Sequence, residues 1–456
     1  MKNQELSSVA AQSPYMHLSW RTEPEIDFER QKFLIQRFTI QPDIQRGIYP
    51  FKDIKLSRAD IQWLLTTHEK GCGPIDWSDV QQRECTGLDL RGADLRRVDL
   101  RNLPLTRMRG GLTRDEWNLT TLEQRHMGGV HLQGADLSET HLEGAILEGA
   151  YLEGATLRDT YLQEANLFRA NLKDAYLRKA HLEKAKLRGV RMEGAYLPKA
   201  RLQGADLRNA FFDSASNLEG IILSEEKHGC ALLADVHWGS VNLSVVNWVQ
   251  VRMLGDEDKI RQRERGRQTG TVGEKGKLLE DYHEAVRANR QLANAMRAQG
   301  MNEEAVPFAY RAQCLQRQVL WRQVVWGQVE ALHADVQHEG LRKQVEALRW
   351  RMLKFAAFIF SWFLDLLAGY GYKPGRSLFI YLLMIVLFAT CYDLLGHLPA
   401  REALIFSVTS FHGRGFLPGP FGLSNPVTAL AALEAVTGLF IEISFIATFT
   451  QRFFGR

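Results

Sequence analysis

The fold is decided by residues 130–215, which read VHLQG ADLSE THLEG AILEG AYLEG ATLRD TYLQE ANLFR ANLKD AYLRK AHLEK AKLRG VRMEG AYLPK ARLQG ADLRN AFFDS A. Every fifth residue is Ala, Val or Thr at eighteen consecutive positions, and a large apolar residue stands two places after each of the first seventeen. Five residues of an α-helix rotate by about 500°, so this pattern would drift around a helix. We therefore expect a solenoid whose backbone returns to one inward direction every five residues.

The triplets ADL at 135–137 and 205–207 and ANL at 165–167 resemble the A(D/N)LXX signature of the pentapeptide repeat family. That resemblance implies a right-handed quadrilateral β-helix with about twenty residues per coil and a rise of ~4.8 Å. We predict that the β-helix occupies residues 86–250, with a helical insertion at 106–127 that interrupts the repeats. Trp238 and Trp248 are candidates for an aromatic cap at its end.

The regions around the solenoid have other patterns. Residues 1–85 predict an N-terminal helical cap, with Ser57 at a helix start, which would cover the open edge of the first coil. Residues 251–276 are highly charged and predict a flexible linker. Residues 277–354 have the pattern of a cytoplasmic helical hairpin with a long second helix. The pattern of this second helix favours pairing between subunits over ligand binding.

Charge and cysteine content exclude several classes of protein. Lys and Arg (57) nearly balance Asp and Glu (53), and residues 130–215 hold twelve acids and twelve bases, so neither a nucleic-acid partner nor a DNA mimic is indicated. The five cysteines are scattered singly without a C-x-x-C spacing. They predict no disulfide framework and no zinc site, and they favour a reducing cytosol for the N-terminal part.

Motifs for catalysis are missing from the sequence. There is no complete phosphate-binding loop, no H-E-x-x-H and no G-x-S-x-G. We therefore expect a protein that is not an enzyme and that needs no cofactor and no metal.

The C-terminal part predicts a membrane module at 371–456. Residues 377–395 and 427–450 are apolar runs long enough to span a bilayer, and residues 401–420 between them suit a re-entrant pore loop. Residues 355–370 predict an interfacial helix. Basic residues (Lys373, Arg376, Arg452 and Arg456) lie outside the two spans, which predicts a multi-pass protein of the inner membrane with both termini in the cytoplasm.

This order of elements resembles the two-transmembrane potassium channel family, which implies a homotetramer with a lipid-embedded pore and a permeant ion. The aligned filter is degenerate, because only Gly413 and Gly415 of the family's TVGYG survive and Arg414 adds a cation. The candidate pore-loop residues are Thr409, Ser410, Phe411, His412, Gly413, Arg414, Gly415 and Phe416. In the second span, the candidates for pore or hinge positions are Glu434, Gly438 and Glu442, and Gly438 aligns with the family's flexible glycine.

Several of these residues have two interpretations. The carboxylates of Glu434 and Glu442 are costly in lipid, so each should face either protein or the pore. Glu442 either packs against a neighbouring hydroxyl or attracts cations in the pore. Arg414 either points outward to pair with an acid such as Glu402 or forms a charged filter ring, and Gly438 either allows close helix packing or acts as a hinge. The sequence therefore favours a potassium-channel-like pore with a cytoplasmic pentapeptide sensor or scaffold. The alternative is a non-conducting, membrane-tethered scaffold whose solenoid binds an unknown protein.

Overall fold

The computed structural model describes residues 20–67, 74–266, 272–333, 341–413 and 426–453. They belong to two compact units, Met1–Arg265 and Gly266–Arg456. The first unit holds the repeats, and the second is entirely helical where it is described.

The first unit is built on a β-helix with twenty residues in each regular coil. Parallel bridges join residues twenty apart, from His131 and Tyr151 to Arg191 and Phe211, and four such bridges start in each coil, one on every side. The small and large residues of the period-five pattern point inward and are almost fully buried. The expected solenoid is confirmed.

A tight turn closes every pentad, a feature that the period-five pattern did not reveal. The amide of Ala135 donates to the carbonyl of Leu132 at 3.0 Å, and Gly134 between them has a φ of 66°. The same positive φ recurs at every fifth residue from 134 to 209, and seven of these sixteen residues are glycine. A positive φ at the third residue of a turn is the mark of the type II turn, which glycine accommodates without strain.

The predicted insertion at 106–127 begins too early, because Arg109 still forms parallel bridges with Asp89 and with Ile146. The insertion consists of two short helices, α3 (Arg114–Asn118) and α4 (Leu122–Gly128), each opened by a threonine in a capping box. Trp117 on α3 packs edge-on against Phe168 of the solenoid wall, with ring centroids 5.9 Å apart.

The N-terminal region contributes α1 (Phe28–Phe38) and α2 (Arg58–Thr67). The Ser57 hydroxyl accepts from the Asp60 amide at the start of α2, and Arg30 of α1 pairs with Asp60 at 2.9 Å. Between these helices, Lys55 forms a parallel bridge with Asp94. The ladder of the solenoid therefore continues into this region.

The regular register ends after Phe211. Bridges lengthen to 21 residues at Tyr196 and Asn217, because one extra residue makes Ser216 the buried residue in place of the predicted Ala215. The hairpin β1 (Ser224–Glu225) and β2 (Gly229–Cys230) adds further residues. Both Trp238 and Trp248 are buried, with ring centroids 6.3 Å apart.

The prediction of a flexible linker at 251–276 was wrong for its first half. Helix α5 (Gly255–Arg265) lies there and packs on the last coil. Its buried Asp256 carboxylate accepts from the Leu233 amide at 2.7 Å, and Ile260 is also buried. A strongly charged segment thus becomes ordered because one charge and one apolar residue face the solenoid.

The expectation of no disulfide framework needs one correction. Cys85 is disulfide-bonded. The other described cysteines, Cys230, Cys314 and Cys391, are free thiols. Spacing alone missed this bond, because disulfides depend on distance in space.

The second unit consists of α6 (Val272–Ala298), α7 (Asn302–His333), α8 (Leu341–Ala368), α9 (Pro374–Gly396), α10 (Ala400–Phe411) and α11 (Pro426–Phe453). The predicted boundary between residues 354 and 355 falls inside α8, so the interfacial segment is not a separate helix. Two stretches, Gly375–Gly396 and Pro426–Ala447, are long and apolar enough to cross a membrane, with mean hydropathies of 2.3 and 1.8.

Candidate functional site

A buried polar cluster joins the three C-terminal helices. The Tyr392 hydroxyl of α9 lies 2.6 Å from Oε2 of Glu434 on α11, and the Ser407 hydroxyl of α10 lies within hydrogen-bond distance of Oε1 of Glu434. All three side chains are fully buried. Of the two sequence-based alternatives for this glutamate, protein or pore, the described helices surround it with protein.

The hydrogen bonds of this cluster indicate whether the Glu434 carboxyl group is protonated. The Ser407 hydroxyl has one proton, yet it lies close to two acceptors, the Ile385 carbonyl at 2.9 Å and the Glu434 carboxyl group. Since a carbonyl cannot donate, every contact is a hydrogen bond only when Glu434 carries a proton and donates to Ser407. A neutral acid also removes the cost of a buried charge between apolar helices.

Gly438 is a close-packing position on α11. A Cβ atom built there would lie 2.0 Å from the backbone oxygen of Phe411, the last residue of α10. Phe411 is itself buried and packs edge-on against Tyr381 of α9, with ring centroids 5.0 Å apart. Any larger side chain at 438 would therefore push the end of α10 away from α11.

His412 and Glu442 meet just beyond the end of α10. Nε2 of His412 lies 3.2 Å from Oε1 of Glu442, and Nδ1 lies 2.7 Å from the Val408 carbonyl. Because that carbonyl can only accept, Nδ1 carries a proton, and the contact with Glu442 needs a proton either on Nε2 or on the Glu442 carboxyl group. When Nε2 is unprotonated, the Tyr381 hydroxyl at 3.4 Å is a further available donor.

The other predicted loop residues are divided between interior and surface. Ser410 is buried and Thr409 is partly buried, with the Thr409 hydroxyl donating to the Phe406 carbonyl at 2.9 Å. Gly413 is exposed, with a φ of 67°. The remaining three, Arg414, Gly415 and Phe416, lie outside the described residues. Among the side chains described, no group of three or more His, Cys, Asp or Glu could hold a metal ion.

Asp365 forms a second polar cluster that the sequence did not single out as functional. Its carboxylate accepts from the Tyr310 hydroxyl at 2.9 Å and from Arg317 at 2.6 Å, both on α7, and lies 3.5 Å from Arg376 on α9. Burial, together with the hydrogen bond to Asp365, raises the pKa of Tyr310. One carboxylate thus ties α7 and α8 to the start of α9. Its only signal in the sequence was a lone acid at the end of an apolar segment.

The outer surfaces of α9 and α11 are apolar. Leu382, Val386 and Leu387 on α9 and Leu439 and Phe440 on α11 are each more than half exposed, whereas the Glu434 cluster is buried. A buried polar cluster beneath an exposed apolar surface is unusual for a soluble protein. An exposed apolar surface of this extent marks contact with another protein or with lipid.

Comparison with known families identifies part of the first unit. Residues 135–174 and 175–213 match the model for pentapeptide repeats. This part of the chain is a pentapeptide repeat domain. No curated protein matches the chain.

Several solved pentapeptide repeat proteins are similar to the chain. HetL from the cyanobacterium Nostoc sp. strain PCC 7120, involved in heterocyst differentiation regulation, is 26% identical over 36% of this chain and 70% of its own, with a TM-score of 0.21. Rfr23 from the cyanobacterium Cyanothece 51142 is 26% identical over 34% of this chain and 92% of its own, with a TM-score of 0.15. The plasmid-mediated fluoroquinolone resistance protein QnrB1 is 19% identical over 39% of this chain and 82% of its own, with a TM-score of 0.17.

Proposed function

We propose that this protein is a subunit of an oligomeric membrane channel with a cytoplasmic pentapeptide repeat domain. Helices α9 and α11 span the bilayer, and α10 lines the pore entrance. The observation that carries this proposal is the position of α10. Its 12 residues extend about 18 Å, too short for a ~30 Å hydrocarbon core, yet Glu434 and Gly438 hold it against α11.

The same helix supports an oligomer. One short helix cannot enclose a pore, so a pore needs several copies around a common axis, and the resemblance to two-transmembrane potassium channels favours four. Glu442 is one-third exposed in the single chain and contacts His412, the residue that follows α10. In the proposed assembly, the Glu442 side chain would face the permeant ion.

Planar bilayers containing the purified full chain test the proposal. We expect single-channel conductance in asymmetric KCl, and a reversal potential that moves toward the cation side when Arg414→Gly removes the proposed ring of positive charge. Arg401→Gly, at the exposed start of α10, is the matched control and should leave the reversal potential unchanged. A reconstituted tetramer that never conducts, with or without Arg414, would contradict the channel.

A second candidate, a membrane-tethered scaffold without conductance, is favoured by the surface of the solenoid. His141, Tyr161 and His181 form a stacked column along one side, with ring centroids 4.5 and 5.0 Å apart, and Tyr176 is 55% exposed on another side. Exposed aromatic side chains are typical of protein interfaces. If a protein partner is captured by the full chain, Tyr176→Ser should weaken that binding while conductance is absent in both proteins.

A further inference from the structure

A small cavity lies between α6 and α7, beside the turn that leads into α9. Its volume is about 210 Å³, and its polar lining residues are Arg290, Asn294, Arg297, Gln313 and Tyr372. Ala293, Ala309 and Ala312 also line the cavity, and their small side chains leave space between the two helices. The cavity exceeds the ~30 Å³ that one water occupies in the liquid, so it can accept a larger polar group.

The chemistry of the lining selects an anion. Two guanidinium groups, two amides and a phenol supply hydrogen-bond donors, and none of the residues that line the cavity is acidic. Arg297 is already oriented toward the opening, because it donates to the Tyr372 hydroxyl at 3.1 Å. Phosphate oxygens suit this arrangement, since guanidinium groups bind them with paired hydrogen bonds.

Two further cations follow Tyr372 in the chain. The Lys373 ammonium lies 4.1 Å from the centre of the Tyr310 ring, and Arg376 lies in the first turn of α9. Arg376 also lies 3.5 Å from the Asp365 carboxylate. Lys373 therefore adds positive charge next to the cavity lining, which favours an anion as the ligand.

The position of the cavity indicates the source of that anion. Tyr372 precedes by two residues the first residue of α9, so the proposed span places the cavity at the level of the membrane surface. The preceding helix α8 has exposed aromatic side chains, including Trp350 at 46% and Trp362 at 52%. Tryptophan is enriched at membrane interfaces, and basic residues there attract anionic lipids.

We propose that this cavity binds the phosphate headgroup of an acidic phospholipid, and that the lipid holds the α6–α7 hairpin against the start of α9. The proposal rests on the proposed membrane location. The Arg297 and Tyr372 pair joins the hairpin to the turn before the span, so the bound headgroup would stabilise the same junction as Asp365.

Titration of the full chain in neutral detergent with dioctanoyl phosphatidylglycerol, followed by thermal unfolding, tests the site. We expect the lipid to raise Tm, and the double substitution Arg290→Gln with Arg297→Gln to weaken its apparent affinity about tenfold or more. Arg287→Gln, at an exposed position of α6 that does not line the cavity, is the matched control and should retain the affinity. Equal affinity in the double variant and the control would overturn the proposal.

Two further arms separate the possible failures. Dioctanoyl phosphatidylcholine and inorganic phosphate replace the acidic lipid, and a Tm rise with inorganic phosphate equal to that with the lipid would overturn the lipid as the ligand. Flotation of the full chain with neutral phosphatidylcholine vesicles tests the membrane location itself. A protein that floats but shows no selective effect of phosphatidylglycerol disproves the headgroup site alone, whereas a protein that does not float disproves the proposed function as well.

Discussion

The hydroxyl of Tyr392 on α9 donates a hydrogen bond to the carboxyl group of Glu434 on α11 at 2.6 Å, across 42 residues of sequence. Ser407 of α10 binds the other oxygen of the same carboxyl group. The short helix between the two apolar helices is therefore held by a side chain that belongs to neither α9 nor α10. The stability of the whole three-helix arrangement should depend on Glu434.

Glu434→Ala should destabilise the C-terminal unit by about 1–3 kcal/mol, because it leaves the buried Tyr392 and Ser407 hydroxyls without this partner. Glu434→Gln should cost less, because an amide can still donate to Ser407 and accept from Tyr392. Thermal unfolding in detergent measures both effects. Glu442→Gln, at a partly exposed position of the same helix, is the control. Equal losses for Ala and Gln at 434 would contradict the proton assignment.

Gly438→Ala should displace the end of α10, because the new Cβ would fall 2.0 Å from the Phe411 carbonyl oxygen. Overpacking of this kind typically costs about 1–3 kcal/mol. Gly375→Ala is a matched control, since a Cβ atom there meets no atom within 4 Å. The measurements are Tm in detergent and conductance. A Gly438→Ala protein with the stability of Gly375→Ala would show that the contact is not close, and Gly438 would then be free to act as a hinge.

The pentad turns predict different effects for two glycines with the same backbone conformation. Gly154 has a φ of 63°, and a Cβ atom there would meet no atom within 4 Å, so Gly154→Ala should cost only the left-handed backbone penalty of about 1–2 kcal/mol. Gly149 has a φ of 69°, and a Cβ there would meet the Trp117 ring at 2.8 Å. Gly149→Ala should cost more in urea unfolding of the full chain, and Trp117→Ala in the same chain should remove the difference.

Cys230 should be unreactive in the folded protein. Burial raises the pKa of its thiol to about 12, so almost none of the reactive thiolate is present at pH 8. Iodoacetamide should modify Cys230 slowly in the folded chain and rapidly after unfolding, as followed by peptide mass spectrometry. Rapid modification under native conditions would show that the hairpin around Cys230 opens.

The predictability of this molecule differs sharply along the chain. The solenoid could be predicted because each pentad repeats one local structure, so the period of five reports directly on which residues face inward. The pattern stops being informative where a residue is inserted, and Ser216 rather than Ala215 is buried as a result. Helix α5 was missed for a similar reason, since its charged sequence conceals the two residues, Asp256 and Ile260, that contact the last coil.

The candidate site was predicted in part. The apolar runs indicated α9 and α11, and the short run between them indicated α10, because hydropathy and length are properties of local sequence. The partners of each polar residue could not be read in this way. Asp365 meets Tyr310 across 55 residues, and Arg297 meets Tyr372 across 75. Neither separation leaves a periodic signal.

The sequence alone determined the period-five solenoid, its inward ladder of small and large side chains, and the two apolar helices, since each depends on residue types at regular spacing. Only the tertiary structure decided that Glu434 is buried against Tyr392 and Ser407, that Gly438 touches the Phe411 carbonyl, and that Cys85 is disulfide-bonded. The physical reason is that hydrogen bonds and steric contacts act over a few ångströms in space, and folding brings together residues whose distance along the chain carries no information about that contact.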